Sequence, residues 1–166
     1  MNTKNISVLL AALLLGSTSC KKDEDEPDDH DHGGTAATAT VEMEFGFHYG
    51  VNDFDMNATY SDGAAHAVQF SAIKFYISDI HLVDDGGGEV AEFHDTHLLL
   101  DGATPEVTHT LGDVTGLHIH EAHFSLGLDS ATNHADPTLA AAPLNDPSMH
   151  WAWNPAAGYK FLLVEG

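Results

Sequence analysis

The residue types best suited to chemistry are concentrated in the last third of the chain, from Asn133 to Gly166. Both tryptophans, Trp151 and Trp153, lie there two residues apart, directly after Met149 and His150. Imidazole and thioether groups are ligands for borderline and soft transition metals, and the indole ring is oxidisable. This combination predicts a copper-type site and does not suggest a hydrolase.

Histidine is unusually frequent, with 13 residues in a chain that has only five lysines and arginines together. The densest cluster contains His118, His120 and His123. On a strand His118 and His120 share one face, and His123 points to the other unless a β-bulge intervenes. On the same strand, the apolar residues Phe124 and Leu126 would share a face with His118 and His120. This predicts that the two histidines lie at the rim of the core. The alternative is a plain solvated face.

We predict His134 and His48 as the first metal ligands, His120 and His123 as the next, and Met149 as a weaker one. His134 lies in an irregular segment whose neighbouring Asn and Asp side chains can orient a metal-bound imidazole. His150 is a poorer ligand candidate, because on a strand it would face away from Met149 and both tryptophans. The remaining histidines that we interpret as surface residues are His66, His81, His94, His97 and His109.

The acidity of the chain excludes some partners. It carries 26 acidic residues and a formal net charge of −21. Nucleic acids and anionic lipid surfaces need basic patches, so neither is expected as a partner. There is no glycine-rich phosphate loop, HExxH or GxSxG motif, and we therefore predict that the protein is not an enzyme.

The N-terminal region has the pattern of a lipoprotein leader. A lysine and a short apolar run are followed by small residues and then Cys20, the only cysteine. We predict a signal peptide over 1–19, lipidation at Cys20, and a disordered acidic, His-containing tether over 20–40. The protein would then be an outer-membrane lipoprotein, periplasmic or surface-exposed, that touches the membrane only through its lipid. The alternative is an ordinary signal peptide followed by a free cysteine.

From Val41 onward, alternating and β-rich segments predict an all-β domain over 41–166. Short strands separated by Gly, Asp and Asn favour an antiparallel, Greek-key-like β-sandwich. Pro137 to Ala142 is the best candidate for a short helical turn in a C-terminal loop. The predicted strands cover 41–48, 67–83, 90–100, 106–111, 117–128 and 159–164.

Several of these segments resemble the MbnP family, whose namesakes are methanobactin-associated periplasmic proteins and whose relatives include Bacteroidetes lipoproteins. The resemblance rests on Lys74 to Leu82, Phe124 to Leu128, Asn133-His134-Ala135-Asp136, Met149 to Trp153, and Gly158-Tyr159-Lys160-Phe161. It implies a β-sandwich, copper binding, and a tryptophan, Trp151 or Trp153, that a di-haem partner of the cytochrome c peroxidase type oxidises to kynurenine. The family pattern continues beyond Gly-Tyr-Lys-Phe, so a C-terminally shortened domain is expected.

The sequence thus leads to two hypotheses about function. The first is an extracytoplasmic copper-binding lipoprotein for copper acquisition or handling. The second is a surface interaction or adhesion module whose histidines are incidental or bind zinc weakly. Histidines scattered with no two within ligand reach would favour the second hypothesis.

Overall fold

The computed structural model describes residues 37–116 and 118–166. The predicted signal peptide, Cys20 and the tether up to residue 36 lie outside the described residues. Within them, no helix has the length and apolar character needed to cross a membrane. The first strand begins at Thr38, slightly before the predicted domain boundary at Val41.

The described residues form mainly short β-strands. In chain order they are β1 (Thr38–Gly46), β2 (His48–Tyr49), β3 (Asn52–Asp53), β4 (Tyr60–Ser61), β5 (Ala67–Val68), β6 (Ala72–Val83), β7 (Glu89–Phe93), β8 (Leu98–Asp101), β9 (Glu106–Thr115), β10 (Glu121–Leu126) and β11 (Leu162–Glu165). One short helix, α1 (Ser130–Asn133), and two 3₁₀ turns, Pro147–Met149 and Pro155–Ala157, lie between the last two strands.

Two antiparallel layers form the sandwich. β1 pairs with β9 in one layer, and β6 is the central strand of the other. Along one edge β6 pairs with β10 and β11, and along the opposite edge with β7 and β8. Two small ribbons, β2–β3 and β4–β5, complete the strands. The prediction of an all-β, antiparallel sandwich is confirmed.

The main core lies between these two layers. In β1 the apolar residues Val41, Met43 and Phe45 are buried and the intervening positions are exposed, as the alternating pattern predicted. Met43 and Phe45 pack against Ile77 and Ile80 of β6. Burial of such side chains stabilises the fold by about 1.5–3 kcal/mol each.

A β-bulge in β6 reverses which residues face this core. Ile77 and Ile80 both belong to the main cluster although they are three positions apart. The pairing of β6 with β10 shifts between His123 and Ser125, and Asp79 adopts a positive φ of 55°. An extra residue at a bulge moves each following side chain of the strand to the opposite face of the sheet. As a result, Asp79 and His81 face away from the core.

The segment between β10 and β11 covers the other face of β6 with a second core. Tyr76 of β6 packs there against Leu128, Met149 and Tyr159. The sequence interpretation of 149–153 as a strand is wrong: Met149 ends a 3₁₀ turn, and only His150 forms a bridge, with Tyr159. Asp146 and the following Pro147 start that turn, since the Asp146 side chain accepts the Ser148 backbone N–H.

The predicted helical turn at Pro137 to Ala142 is also wrong in position. The helix is α1, and Asp129 caps it by accepting the backbone N–H groups of Ala131 and Thr132. At Pro137 the chain forms only a turn, in which the Asp136 side chain accepts the backbone N–H of Thr138. No helix follows directly after this turn. An Asp-Ser-Ala-Thr sequence is itself an N-cap signal.

Candidate metal centre

The four histidines predicted as ligands each contact a different partner. His48 approaches Asp53 at 3.5 Å, and His120 approaches Asp85 at 3.1 Å. His123 contacts Glu121 at 2.7 Å, and His134 contacts a backbone carbonyl. Within 37–116 and 118–166, none of these four belongs to a group of three His, Cys, Asp or Glu ligand atoms that all lie within 4.8 Å of one another.

His118 and His120 lie before β10 and are exposed. Phe124 and Leu126, which were predicted to point into the core, are also exposed, at 40% and 59%. The prediction that the histidine pair lies at the rim of the core is therefore wrong. His118 and His120 precede the first residue of β10, Glu121, and β10 lies at an edge of its sheet, paired among the described strands only with β6.

Met149 is completely buried in the second core, at 0% exposure. A thioether packed in this way acts as a hydrophobic side chain. The two tryptophans instead reach solvent, Trp151 at 38% and Trp153 at 77% exposure, with ring centroids 6.0 Å apart. The Lys160 ammonium lies 4.9 Å above the Trp151 ring, in cation–π contact. The Met149 side chain therefore lies in the core and the two indole rings lie at the surface. The sequence interpretation had placed all three on one face of a strand.

Asn133 connects the loop of His134 to the segment that carries the tryptophans. Its side-chain oxygen accepts the backbone N–H of Tyr159 at 2.9 Å. The adjoining Gly158 has a positive φ of 78°, and a Cβ there would lie 2.5 Å from the Asn133 carbonyl oxygen. Only glycine allows this approach. This contact explains why the sequence combines Asn-His-Ala-Asp with Gly-Tyr-Lys-Phe.

Two imidazoles in this region have a nitrogen that is available to a ligand. His134 Nδ1 lies 2.6 Å from the Ser130 carbonyl oxygen and must donate to it, which leaves Nε2 as the acceptor nitrogen. His150 Nδ1 is buried and has no hydrogen-bond partner within the described part of the chain. His150 is connected to the loop of His134 through Tyr159: it forms a β-bridge with Tyr159, whose backbone N–H donates to the side chain of Asn133, the residue before His134, at 2.9 Å.

A second cluster, on β6 and β7, was not found from the sequence. Asp79 Oδ1 lies 3.0 Å from His81 Nε2 and 3.2 Å from His94 Nδ1. The two imidazole rings are nearly perpendicular, with centroids 5.3 Å apart. Both histidines were interpreted as surface residues; His94 is 61% exposed, whereas His81 points outward but is only 24% exposed, and their proximity was missed. The three-residue spacing of Ile77 and Ile80 was the available signal, because it indicates a bulge.

Two glutamates bind the opposite sides of these rings. Glu89 Oε2 lies 2.9 Å from His81 Nδ1, and Glu92 contacts His94 Nε2. Glu92 is the register partner of His81 across the β6–β7 pair. The hydrogen bonds that His81 donates to Glu89 and Asp79 raise the pKa of His81, and the bond from His81 holds the pKa of the Asp79 carboxyl below its usual range. We call Asp79, His81, Glu89, Glu92 and His94 the β6–β7 cluster.

One histidine predicted as a ligand lies next to this cluster. His123 of β10 is the register partner of His81, on the strand edge opposite Glu92. Its Nε2 is engaged by Glu121, and the hydrogen bond from His123 lowers the pKa of that carboxyl. His81 is therefore flanked by a carboxylate on one neighbouring strand and by an imidazole on the other.

These features define a class of protein: an antiparallel β-sandwich whose last strand is preceded by a long irregular segment carrying Asn-His-Ala-Asp and Met-x-Trp-x-Trp motifs. The MbnP family model matches residues 38–166, and the chain belongs to the MbnP family. A search of curated proteins finds no match.

Among solved structures the chain is similar to MbnP from Methylosinus trichosporium, with a TM-score of 0.59 and 19% sequence identity. The similarity covers 77% of this chain and 54% of that protein, so the chain spans about half its length. At this identity the likeness concerns the fold.

Proposed function

We propose that the protein is an extracytoplasmic copper-binding lipoprotein without catalytic activity, used for copper acquisition or handling. The observation that carries the proposal is the buried Nδ1 of His150, which has no hydrogen-bond partner among the described residues and is connected through Tyr159 to the loop of His134. A buried polar atom without a partner costs about 1–3 kcal/mol, and a bound metal would remove that cost.

His134 is suited to be the companion ligand. Its Nδ1 is fixed by the Ser130 carbonyl at 2.6 Å, which holds the ring and leaves Nε2 free to bind. Metal-bound histidines are generally oriented in this way by a hydrogen bond from the other ring nitrogen. Two neutral imidazoles suit copper in either of its common oxidation states, and zinc is the alternative metal.

The exposed tryptophans fit the role of an oxidisable partner surface. Trp153 is largely accessible, and Trp151 touches it and is held by Lys160. We propose that a di-haem enzyme of the cytochrome c peroxidase type converts one of them to kynurenine. The resemblance to the MbnP family supports this partner, and the lipid at Cys20 would hold this chain at the outer membrane.

Copper titration of the purified chain and matched variants tests the ligand proposal. His134→Gln and His150→Gln should each lower copper affinity by at least about tenfold, since each removes one of two ligands. His66→Gln is the control, because His66 is an exposed histidine paired with Asp62 in the remote β4–β5 ribbon. Equal copper affinity in all three variants and the parent would contradict the proposal and favour the interaction module.

Intact mass spectrometry of protein isolated from its native source tests the tryptophan proposal. Conversion to kynurenine replaces one carbon by one oxygen, and peptide mapping would assign the change to Trp151 or Trp153. Unmodified tryptophans in copper-loaded native protein would count against the di-haem partner but not against copper binding.

A further inference from the structure

We propose that Asp79, His81 and His94 form a second metal site, separate from the proposed copper site and suited to a divalent borderline cation such as Zn²⁺. The three side chains come from β6 and from the residue just after β7. Their ligand atoms all lie within 4.8 Å of one another. Asp79 and His81 lie in the segment Lys74 to Leu82 that resembles the family, whereas His94 lies outside the segments that carry the resemblance.

Two of the three distances between the ligand atoms are those of a preformed ligand set, and the third, between the two imidazole nitrogens, is no longer than 4.8 Å. Asp79 Oδ1 is 3.0 Å from His81 Nε2 and 3.2 Å from His94 Nδ1. Two ligands of a tetrahedral Zn²⁺ ion, each bonded at about 2.0–2.1 Å, lie roughly 3.3 Å apart. A metal can therefore replace the protons that now link these atoms with only a small movement of the side chains.

The glutamates supply the outer contacts that a metal site needs. Glu89 lies 2.9 Å from His81 Nδ1, and Glu92 contacts His94 Nε2. Each imidazole thus turns one nitrogen toward Asp79 and the other toward a carboxylate. This carboxylate–histidine–metal arrangement fixes the tautomer and increases the basicity of the ligating nitrogen.

The donor atoms select the class of cation. Two imidazole nitrogens and one carboxylate oxygen match Zn²⁺ or Cu²⁺ and contain no sulfur for a soft monovalent ion. The additional negative charge of Glu89 and Glu92 also favours a dication. His81 is only 24% exposed whereas His94 is 61% exposed, so the site opens on one side, where a water molecule can complete the coordination.

The backbone gives the site rigidity. Asp79 faces outward because of the bulge, while its neighbours Ser78 and Ile80 are buried. Because β6 is the central strand of its sheet, the position of His81 is fixed from both edges by its register partners Glu92 and His123. Sites on strands hold ligand geometry better than sites on loops.

The test uses the full chain freed of metal and titrated with Zn²⁺, with Co²⁺ as a visible spectroscopic probe of the ligand field. We expect His94→Gln and Asp79→Asn to remove one equivalent of bound Zn²⁺ and the associated Co²⁺ absorption band. Glu89→Gln retains the ligands and should weaken Zn²⁺ binding by about 10–100-fold. His66→Gln should match the parent protein in stoichiometry and affinity.

Both variants should fold like the parent, because His94 is largely exposed and asparagine tolerates the positive φ of Asp79. Unchanged Zn²⁺ stoichiometry and affinity in both His94→Gln and Asp79→Asn would overturn the proposal. His134→Gln should retain this Zn²⁺ site while it loses copper affinity. Its result therefore separates a failure of the β6–β7 site from a failure of the copper proposal.

Discussion

The β6–β7 cluster and the segment between β10 and β11 differ in how they hold their polar groups. The cluster is built on paired strands, and its five charged side chains contact one another at the surface. The other segment has little regular structure, and Asn133, Gly158 and Tyr159 fix it through single contacts. Motif residues of the irregular segment support its backbone, whereas the β6–β7 cluster combines two residues of the Lys74 to Leu82 segment, Asp79 and His81, with three residues outside it.

The largest effect should come from Gly158→Ala, which tests whether a single contact fixes the irregular segment. The new Cβ would lie 2.5 Å from the Asn133 carbonyl oxygen and 2.6 Å from its side-chain oxygen. We expect a loss of more than about 4 kcal/mol in the free energy of unfolding, measured by urea denaturation.

Gly63→Ala is the matched control for this prediction. Gly63 also has a positive φ, of 84°, but a Cβ there meets nothing within 4 Å. Only the backbone cost should remain, about 1–2 kcal/mol. Equal losses for the two variants would mean that the contact between Gly158 and Asn133 contributes nothing.

Substitution of Met149 distinguishes a core residue from a metal ligand. Met149→Ala should cost about 2–5 kcal/mol of unfolding free energy, because it opens a cavity beside Tyr76 and Tyr159. Met149→Leu keeps the volume and should cost less than about 1.5 kcal/mol. The copper affinity of Met149→Leu should equal that of the parent in the same titration. A marked loss of copper affinity in the leucine variant would restore Met149 as a ligand.

The Asp146 carboxylate ties the irregular segment to β6, and its removal should have a smaller effect. It accepts hydrogen bonds from Ser148 and, at 3.0 Å, from the Lys74 ammonium. Lys74 also lies 3.2 Å from Asp101, which follows from the pairing of β6 with β8. We expect Asp146→Asn to cost about 2 kcal/mol of unfolding free energy near neutral pH.

The same group predicts a pH dependence. Burial raises the pKa of the Asp146 carboxyl, but the hydrogen bonds from Ser148 and Lys74 outweigh it and hold the pKa below the ordinary value of 3.8. A lowered folded-state pKa stabilises the protein above the unfolded-state pKa, and this stability is lost as the pH falls through the folded-state value. Acid titration of urea midpoints should show a smaller decrease below about pH 4 for Asp146→Asn than for the parent. Parallel curves would contradict this assignment.

Sequence reasoning succeeded where the local pattern and the tertiary contacts agree. The alternation of Val41, Met43 and Phe45 predicted β1 correctly because one face of that strand is buried and the other is exposed. The Gly, Asp and Asn residues between the predicted strands indicated turns, as in the turn before β7, where Gly87 has a positive φ. Both features depend on neighbouring residues alone.

It failed where tertiary contacts override the local pattern. Met149, Trp151 and Trp153 look like one face of a strand, but the capping carboxylate of Asp146 makes the first of them part of a 3₁₀ turn. His81 and His94 are separated by a hairpin, so their proximity depends on the β6–β7 register and on the bulge at Asp79. Neither constraint can be read from a hydrophobic period alone.

Strand periodicity and the motifs from Asn133 to Phe161 indicate the fold class and the family, because their residues are close together in the chain. Which side chains meet depends on the tertiary fold. Packing buried Met149 and left His150 Nδ1 without a hydrogen-bond partner among the described residues, and the bulge turned Asp79 and His81 outward toward His94. Ligand geometry depends on strand register and bulges, and these are set by packing between segments distant in sequence.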